Sequence, residues 1–167
     1  MSHLVYLGLG TNLCADANAA TRREGLAANL HAALQALQKH VGTLLKCSSF
    51  LETAPWGFES ENTFLNAAAL FQTDLTPRLL LGATQEIELA MGRTHKSHNR
   101  HYSDRIIDID ILFYDADVVS IPGLTIPHPL IAERAFVLQP LCEIAPGFLH
   151  PQQEKTVAQL LAELAAR

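Results

Sequence analysis

The segment Arg105-Ile106-Ile107-Asp108-Ile109-Asp110-Ile111-Leu112 constrains this chain more than any other. Side chains alternate across a strand, so Ile107, Ile109 and Ile111 share one face while Asp108 and Asp110 share the other. The two carboxylates then lie ~6.6 Å apart along the strand, from a rise of ~3.3 Å per residue. Aspartate is a poor strand former. Two of them on an apolar strand repel each other and lose hydration. A divalent cation relieves both costs. A few hard oxygen ligands, with phosphate oxygens completing the shell, favour Mg²⁺. The competing reading is the solvated face of an edge strand, and the surrounding isoleucines make it the weaker one.

The residues leading into this strand are basic. Arg93, Lys96, Arg100 and Arg105 stand against one acid, Asp104, in a chain of net charge −5. A local basic segment in an acidic protein suits a compact anion such as a nucleotide, and broad nucleic-acid binding is not expected. Carboxylates that hold a metal beside arginines are a recurring arrangement for phosphoryl transfer. The arginine fork binds two oxygens at once. Read alone, the loop is also compatible with a plain exposed loop, although its length suits a lid. His95, His98 and His101 raise a transition-metal site, but no helix aligns them and no cysteine is near. Gly8-x-Gly10 lacks the third glycine of a dinucleotide fingerprint, and no P-loop occurs.

Around these features the pattern alternates strand and helix. Leu4–Leu7 reads as a buried strand that leaves into a tight turn at Gly8-Leu9-Gly10. Residues 13–22 read as loop. Leu26, Leu30, Leu34, Leu37 and Val41 mark one helix face, with Gly42 as its C-terminal cap. Leu44 to Thr53 reads as a second strand, broken by Ala54-Pro55-Trp56-Gly57, and Phe64 to Thr73 as a third. Thr76-Pro77 opens a second helix with Leu80, Ala83, Ile87 and Met91 inward. Ile106 to Tyr114 is the fourth strand. Leu124 to Pro129 is extended, Glu133 to Ile144 is helical up to an interruption at Pro140, and Thr156 caps a last helix. The order β-α-β-β-α-β predicts an α+β, ferredoxin-like sandwich with an antiparallel sheet and a C-terminal helical extension.

At 167 residues and 49% hydrophobic, the chain suits one domain with one core. No apolar run approaches the ~20 residues of a membrane span, and the N-terminus lacks the features of a signal peptide. Cys14, Cys47 and Cys142 fit neither a zinc spacing nor a disulfide framework. A cytoplasmic protein with incidental thiols is therefore expected. Gln85 and Glu88, three apart on the polar face of the second helix, read more readily as facing water than a nucleotide. Phe64 and Phe136 read as core aromatics, and His128, between two prolines, as rigidly held.

Taken together, these stretches resemble the 6-hydroxymethyl-7,8-dihydropterin pyrophosphokinase family. The resemblance rests on several motifs in order. They are Gly10-Thr11-Asn12-Leu13, Ser48-Ser49-Phe50 leading to Thr53, Phe64-Leu65-Asn66-Ala67-Ala68, Thr84-Gln85-Glu86-Ile87-Glu88 with Gly92-Arg93, and Asp104 to Leu112. Pro127-His128 and Glu133-Arg134-Ala135-Phe136-Val137-Leu138 with Pro140-Leu141 complete them. The resemblance implies one domain over residues 1–167 and transfer of pyrophosphate from ATP to a pterin alcohol, with release of AMP, in folate synthesis. It implies two Mg²⁺ ions on Asp108 and Asp110. Phe64 and Phe136 would stack on the pterin, which replaces their reading as core. Thr53, Ala54, Trp56 and Asn66 would hold the pterin edge. Gln85, Glu88, Arg93, His95, Arg105, Ile111, His128 and Arg134 would contact ATP, with Arg93 and Arg105 also serving catalysis.

His95 stands where the family often has arginine, and Phe64 where it often has tyrosine. No partner chain is implied, and a monomer is expected. Two other readings are compatible with the residues alone: a metal-dependent phosphohydrolase using the same aspartates, and a non-catalytic pterin or nucleotide binder.

Overall fold

The computed structural model describes residues 1–16, 18–54, 63–92 and 105–167. Strand β1 (His3–Thr11) is its axis. The strand does not turn at Gly8-Leu9-Gly10. It runs on through both glycines, paired on each side: Gly8 lies opposite Ala68 and Asp110, and Gly10 opposite Asn66 and Asp108. Glycine inside a strand marks a place where something must come close. A Cβ at Gly10 would stand 3.0 Å from the Asn66 amide oxygen, and one at Gly8 would meet the Leu112 side chain at 3.4 Å. The glycines therefore keep the strand face open.

Thr21 caps helix α1 (Arg22–His40) by accepting the Glu24 N–H. Gly42 is not its cap. Val41 ends the helix in the right-handed region, and Gly42 begins β2 (Gly42–Cys47). A side chain at Gly42 would overlap the Gln72 carbonyl of the neighbouring strand. The expected second strand is two strands, β2 and β3 (Leu51–Thr53), both paired with β4 (Phe64–Thr73). Between them Ser48 keeps contact with β4: its N–H donates to the Ala68 carbonyl, and its Oγ accepts the Ala68 N–H. Helix α2 (Pro77–Ala90) starts as read, with Thr76 accepting the Leu79 N–H. Strand β5 (Asp108–Tyr114) follows.

The sheet order is β2-β4-β1-β5, antiparallel throughout, with β3 also on β4. That is the expected ferredoxin-like arrangement. Val5, Leu7, Leu9, Leu65, Ala67, Phe71, Ile107, Ile109 and Ile111 point to one face, where α1 and α2 close the larger core. Ala68, Leu112 and Phe113 point to the other, under α3 (Ala135–Ile144) and α4 (Val157–Ala165). Helix α3 runs through Pro140 without stopping. The proline removes one backbone donor, yet it is buried between Leu138 and Leu141 on the packed face. A capping box at Thr156 and Gln159 starts α4. A hairpin of β6 (Val119–Ile121) and β7 (Leu124–Ile126) leads to a short 3-10 turn at Ile131–Glu133. Among the described residues no helix is long and apolar enough to cross a membrane.

Candidate active site

Strand parity decides what faces what. On β5, Asp108 and Asp110 alternate with buried Ile107, Ile109 and Ile111, as the pattern requires. On β1 the same face carries Gly8 and Gly10, and on β4 it carries Phe64 and Asn66. Helices α3 and α4 cover only the far half of this face. The near half is a partly open cleft, floored by Gly8 and Gly10 and walled by Phe64 and Phe136.

Two similar sets of side chains meet here. Arg105 Nη1 lies 3.2 Å from Asp108 Oδ2, and its guanidinium sits over the Phe64 ring, 5.7 Å from the centroid. Arg134 Nη1 lies 3.6 Å from Asp110 Oδ2, over the Phe136 ring at 5.5 Å. Both arginine side chains are 7% exposed, while the aspartates are 18% and 19% exposed. The cations are thus sunk between ring and carboxylate, where low dielectric strengthens their fields. Both carboxylates line the cleft. Beside Phe64, the Asn66 amide donates to Thr53 Oγ1 at 2.6 Å, which fixes the amide at the cleft edge. Ala54 also lines the cleft.

A second cleft lies along the open edge of β5, lined by Leu81, Ile111, Gly123, Thr125, His128 and again Asp110. His128 is held as its prolines suggest: its N–H donates to the Leu112 carbonyl, and Nδ1 accepts the Leu130 N–H. Gln85 is exposed on α2. Glu88 does not face water, contrary to its helical position. It is 3% exposed, and Oε2 accepts the Ile109 N–H at 2.9 Å. Ile109 sits between the two aspartates, so Glu88 holds that edge of the ladder with a hydrogen bond from its side chain. Phe64 and Phe136 are part-buried cleft walls, not core. Trp56, Arg93 and His95 lie outside the described residues, as do His98 and His101. Cys14, Cys47 and Cys142 are free. Desolvation, and next the Glu143 carboxylate, raise the Cys47 pKa, which suits an inert thiol.

Two groups to which the sequence reading assigns no role complete the site. Asn12 Oδ1 accepts the Arg105 N–H at 2.6 Å, while the Arg105 carbonyl accepts from the N–H groups of Asn12 and Leu13. Asn29, from α1, donates to Thr11 Oγ1 and to the Leu13 carbonyl. Asn29 had a signal: it is a polar residue inside the Leu26–Leu30 apolar stripe.

The family model for 7,8-dihydro-6-hydroxymethylpterin-pyrophosphokinase matches residues 6–146. The chain belongs to this pyrophosphokinase family. Its curated relatives include a 2-amino-4-hydroxy-6-hydroxymethyldihydropteridine pyrophosphokinase of Porphyromonas gingivalis. That protein is 47% identical over 89% of this chain and 95% of its own length. The enzyme of the same name from Methylorubrum extorquens is 39% identical over 95% of this chain and 92% of its own. That from Bacillus subtilis is 37% identical over 86% and 79%. Among solved structures, a Plasmodium falciparum HPPK-DHPS with pteroate superposes with a TM-score of 0.77 at 16% identity, and an HPPK-DHPS in complex with substrates with 0.73 at 17%. These show the fold of the pyrophosphokinase domain. This chain spans 41% and 43% of those two longer chains.

Proposed function

We propose that this chain transfers pyrophosphate from ATP to the hydroxymethyl oxygen of 6-hydroxymethyl-7,8-dihydropterin, releasing AMP, as a step of folate synthesis. One observation carries the reading in this chain: Asp110 lines both clefts. An aromatic-walled cleft suits a flat heterocycle, and the β5-edge cleft suits a nucleotide. The two ligands would meet over Asp108 and Asp110.

The residues fit magnesium. Two hard carboxylates share one face and line the cleft, and the substrate's phosphate oxygens would supply the remaining ligands. Asp108 and Asp110 would hold it, and when bound it neutralises charge on the phosphate oxygens. The chain's own side chains do the rest. Phe64 and Phe136 clamp the pterin, and Thr53 and Asn66 read its edge. Arg105 and Arg134 turn their guanidinium groups from carboxylate to phosphate and steady the charge that develops there. Positioning two bound reactants in line supplies much of the rate. Gln85, Ile111 and His128 would contact the nucleotide, joined by Arg93 and His95.

The test is AMP release with ATP, Mg²⁺ and the pterin alcohol together, and with each omitted in turn. The expected result is AMP formation that needs all three. Equal AMP release without the pterin would instead support a phosphohydrolase.

A further inference from the structure

Residues 105–107 carry the chain into β5 before any ladder pairing begins, since the first paired residue is Asp108, opposite Gly10. Arg105 must nevertheless be placed closely enough to sit between the Phe64 ring and Asp108. Its backbone is held by the loop that leaves β1, through Asn12 and Leu13. That loop needs a holder in turn. Asn29 is 4% exposed on the core face of α1, next to Leu30, which is fully buried. Its Nδ2 donates to Thr11 Oγ1 at 2.9 Å, to the Leu13 carbonyl at 2.8 Å and, more weakly, to the Ile106 carbonyl at 3.3 Å. Two hydrogens are shared among three oxygens from both segments. Packing alone would be served by a leucine in such a stripe, because a buried amide is costly unless it is bonded.

We infer that Asn29 is a positioning residue for the pyrophosphoryl transfer. Through the junction of residues 11–13 with 105–107 it sets where Arg105 and Asp108 stand. The pterin walls stand on other elements. Phe64 and Asn66 are carried by β4, Thr53 by β3 and Phe136 by α3. Loss of Asn29 should therefore misplace the phosphate-side charges and spare the acceptor site. The inference rests on the assignment of Arg105 and Asp108 to the reacting centre.

The experiment compares Asn29→Leu, which has the same number of side-chain heavy atoms but no donor, with Leu34→Ala five residues further along the buried side of the same helix. Leu34 lines a cleft with Leu44, Cys47 and Phe50, so Leu34→Ala lowers stability away from the junction. For Asn29→Leu the expected result is a kcat for AMP formation reduced about tenfold or more, with KM for the pterin within about twofold. Leu34→Ala should keep kcat within about twofold. If Asn29→Leu is insoluble, Asn29→Ser, which retains one hydroxyl donor, should show the same split with a smaller loss. Unchanged kcat in the Asn29 variants overturns the inference. So does an equal loss in Leu34→Ala, or a loss confined to KM for the pterin. Asp108→Ala keeps the two readings apart. Wild-type turnover in that variant removes the site assignment itself, whereas an inactive Asp108→Ala beside an unimpaired Asn29→Leu removes only the role of Asn29.

Discussion

Strand β5 carries carboxylates near both ends, and the two ends use them differently. At the far end Asp115 follows the last paired residue, with φ of 48°. His3 Nδ1 lies 2.7 Å from its Oδ2, and the Leu4 N–H donates to its Oδ1 at 2.8 Å. The His3 ring lies over Tyr114. Both carboxylate oxygens are committed to the neighbouring strand, so the group is a clamp. At the near end Asp108 and Asp110 also face cations. Those cations arrive on long side chains from outside the sheet, and an open cleft lies beside them. An acid beside a base does not by itself mark a site. What marks one is a partner that can be exchanged, and room for the molecule that takes its place.

The largest expected effect breaks the near end. Asp110→Ala should cut AMP formation by at least about a thousandfold, roughly 4 kcal/mol of transition-state stabilisation. Its melting temperature should stay within about 3 °C of wild type, because a residue facing the cleft holds little of the core. Turnover within tenfold of wild type would end the metal assignment. The next largest breaks the far end. Asp115→Ala should leave kcat and both KM values within twofold. It should lower unfolding stability by about 1–2 kcal/mol, from the lost hydrogen bonds and from a left-handed residue that alanine tolerates less well. A urea titration reads this directly, and a kinetic defect without a stability loss would reverse the contrast.

The smallest effect sharpens it. His150 is 3% exposed beneath α4, edge-on to Phe113, with Nδ1 accepting the N–H groups of Gln152 and Gln153. Burial lowers its pKa from 6.5, against a smaller raising effect of its own backbone hydrogen bonding. The unfolded chain then takes up the proton first. Stability should fall as pH drops below about 6.5, and the fall should level off below the folded-state pKa. His150→Asn should flatten that slope in pH-dependent thermal unfolding. An unchanged slope would remove His150 as its source.

Much of the chemistry was legible because the β-pleat is a local rule. Alternation alone put Asp108 and Asp110 on one face and three isoleucines on the other, and the caps at Thr76 and Thr156 followed from hydrogen-bond chemistry within one turn. The errors share a cause. Gly8 and Gly10 read as a turn because glycine permits one, yet here they leave room for side chains of β4 and β5. Pro140 read as a break because it lacks a donor, yet packing under the sheet holds the helix together around it. The β6–β7 hairpin did carry a signal, the Pro122-Gly123 pair, with Gly123 at φ 81°.

The sequence by itself determined the acidic face of β5, the basic entry to it and the family that both belong to. Only the tertiary structure decided that Arg105 covers the Phe64 ring, that Glu88 turns inward to the Ile109 N–H, and that Asn29 reaches across to the Arg105 segment. The physical reason is range. Periodicity and capping act over a few residues, whereas these contacts join groups up to 77 positions apart, and nothing local specifies which distant oxygen a buried donor will find.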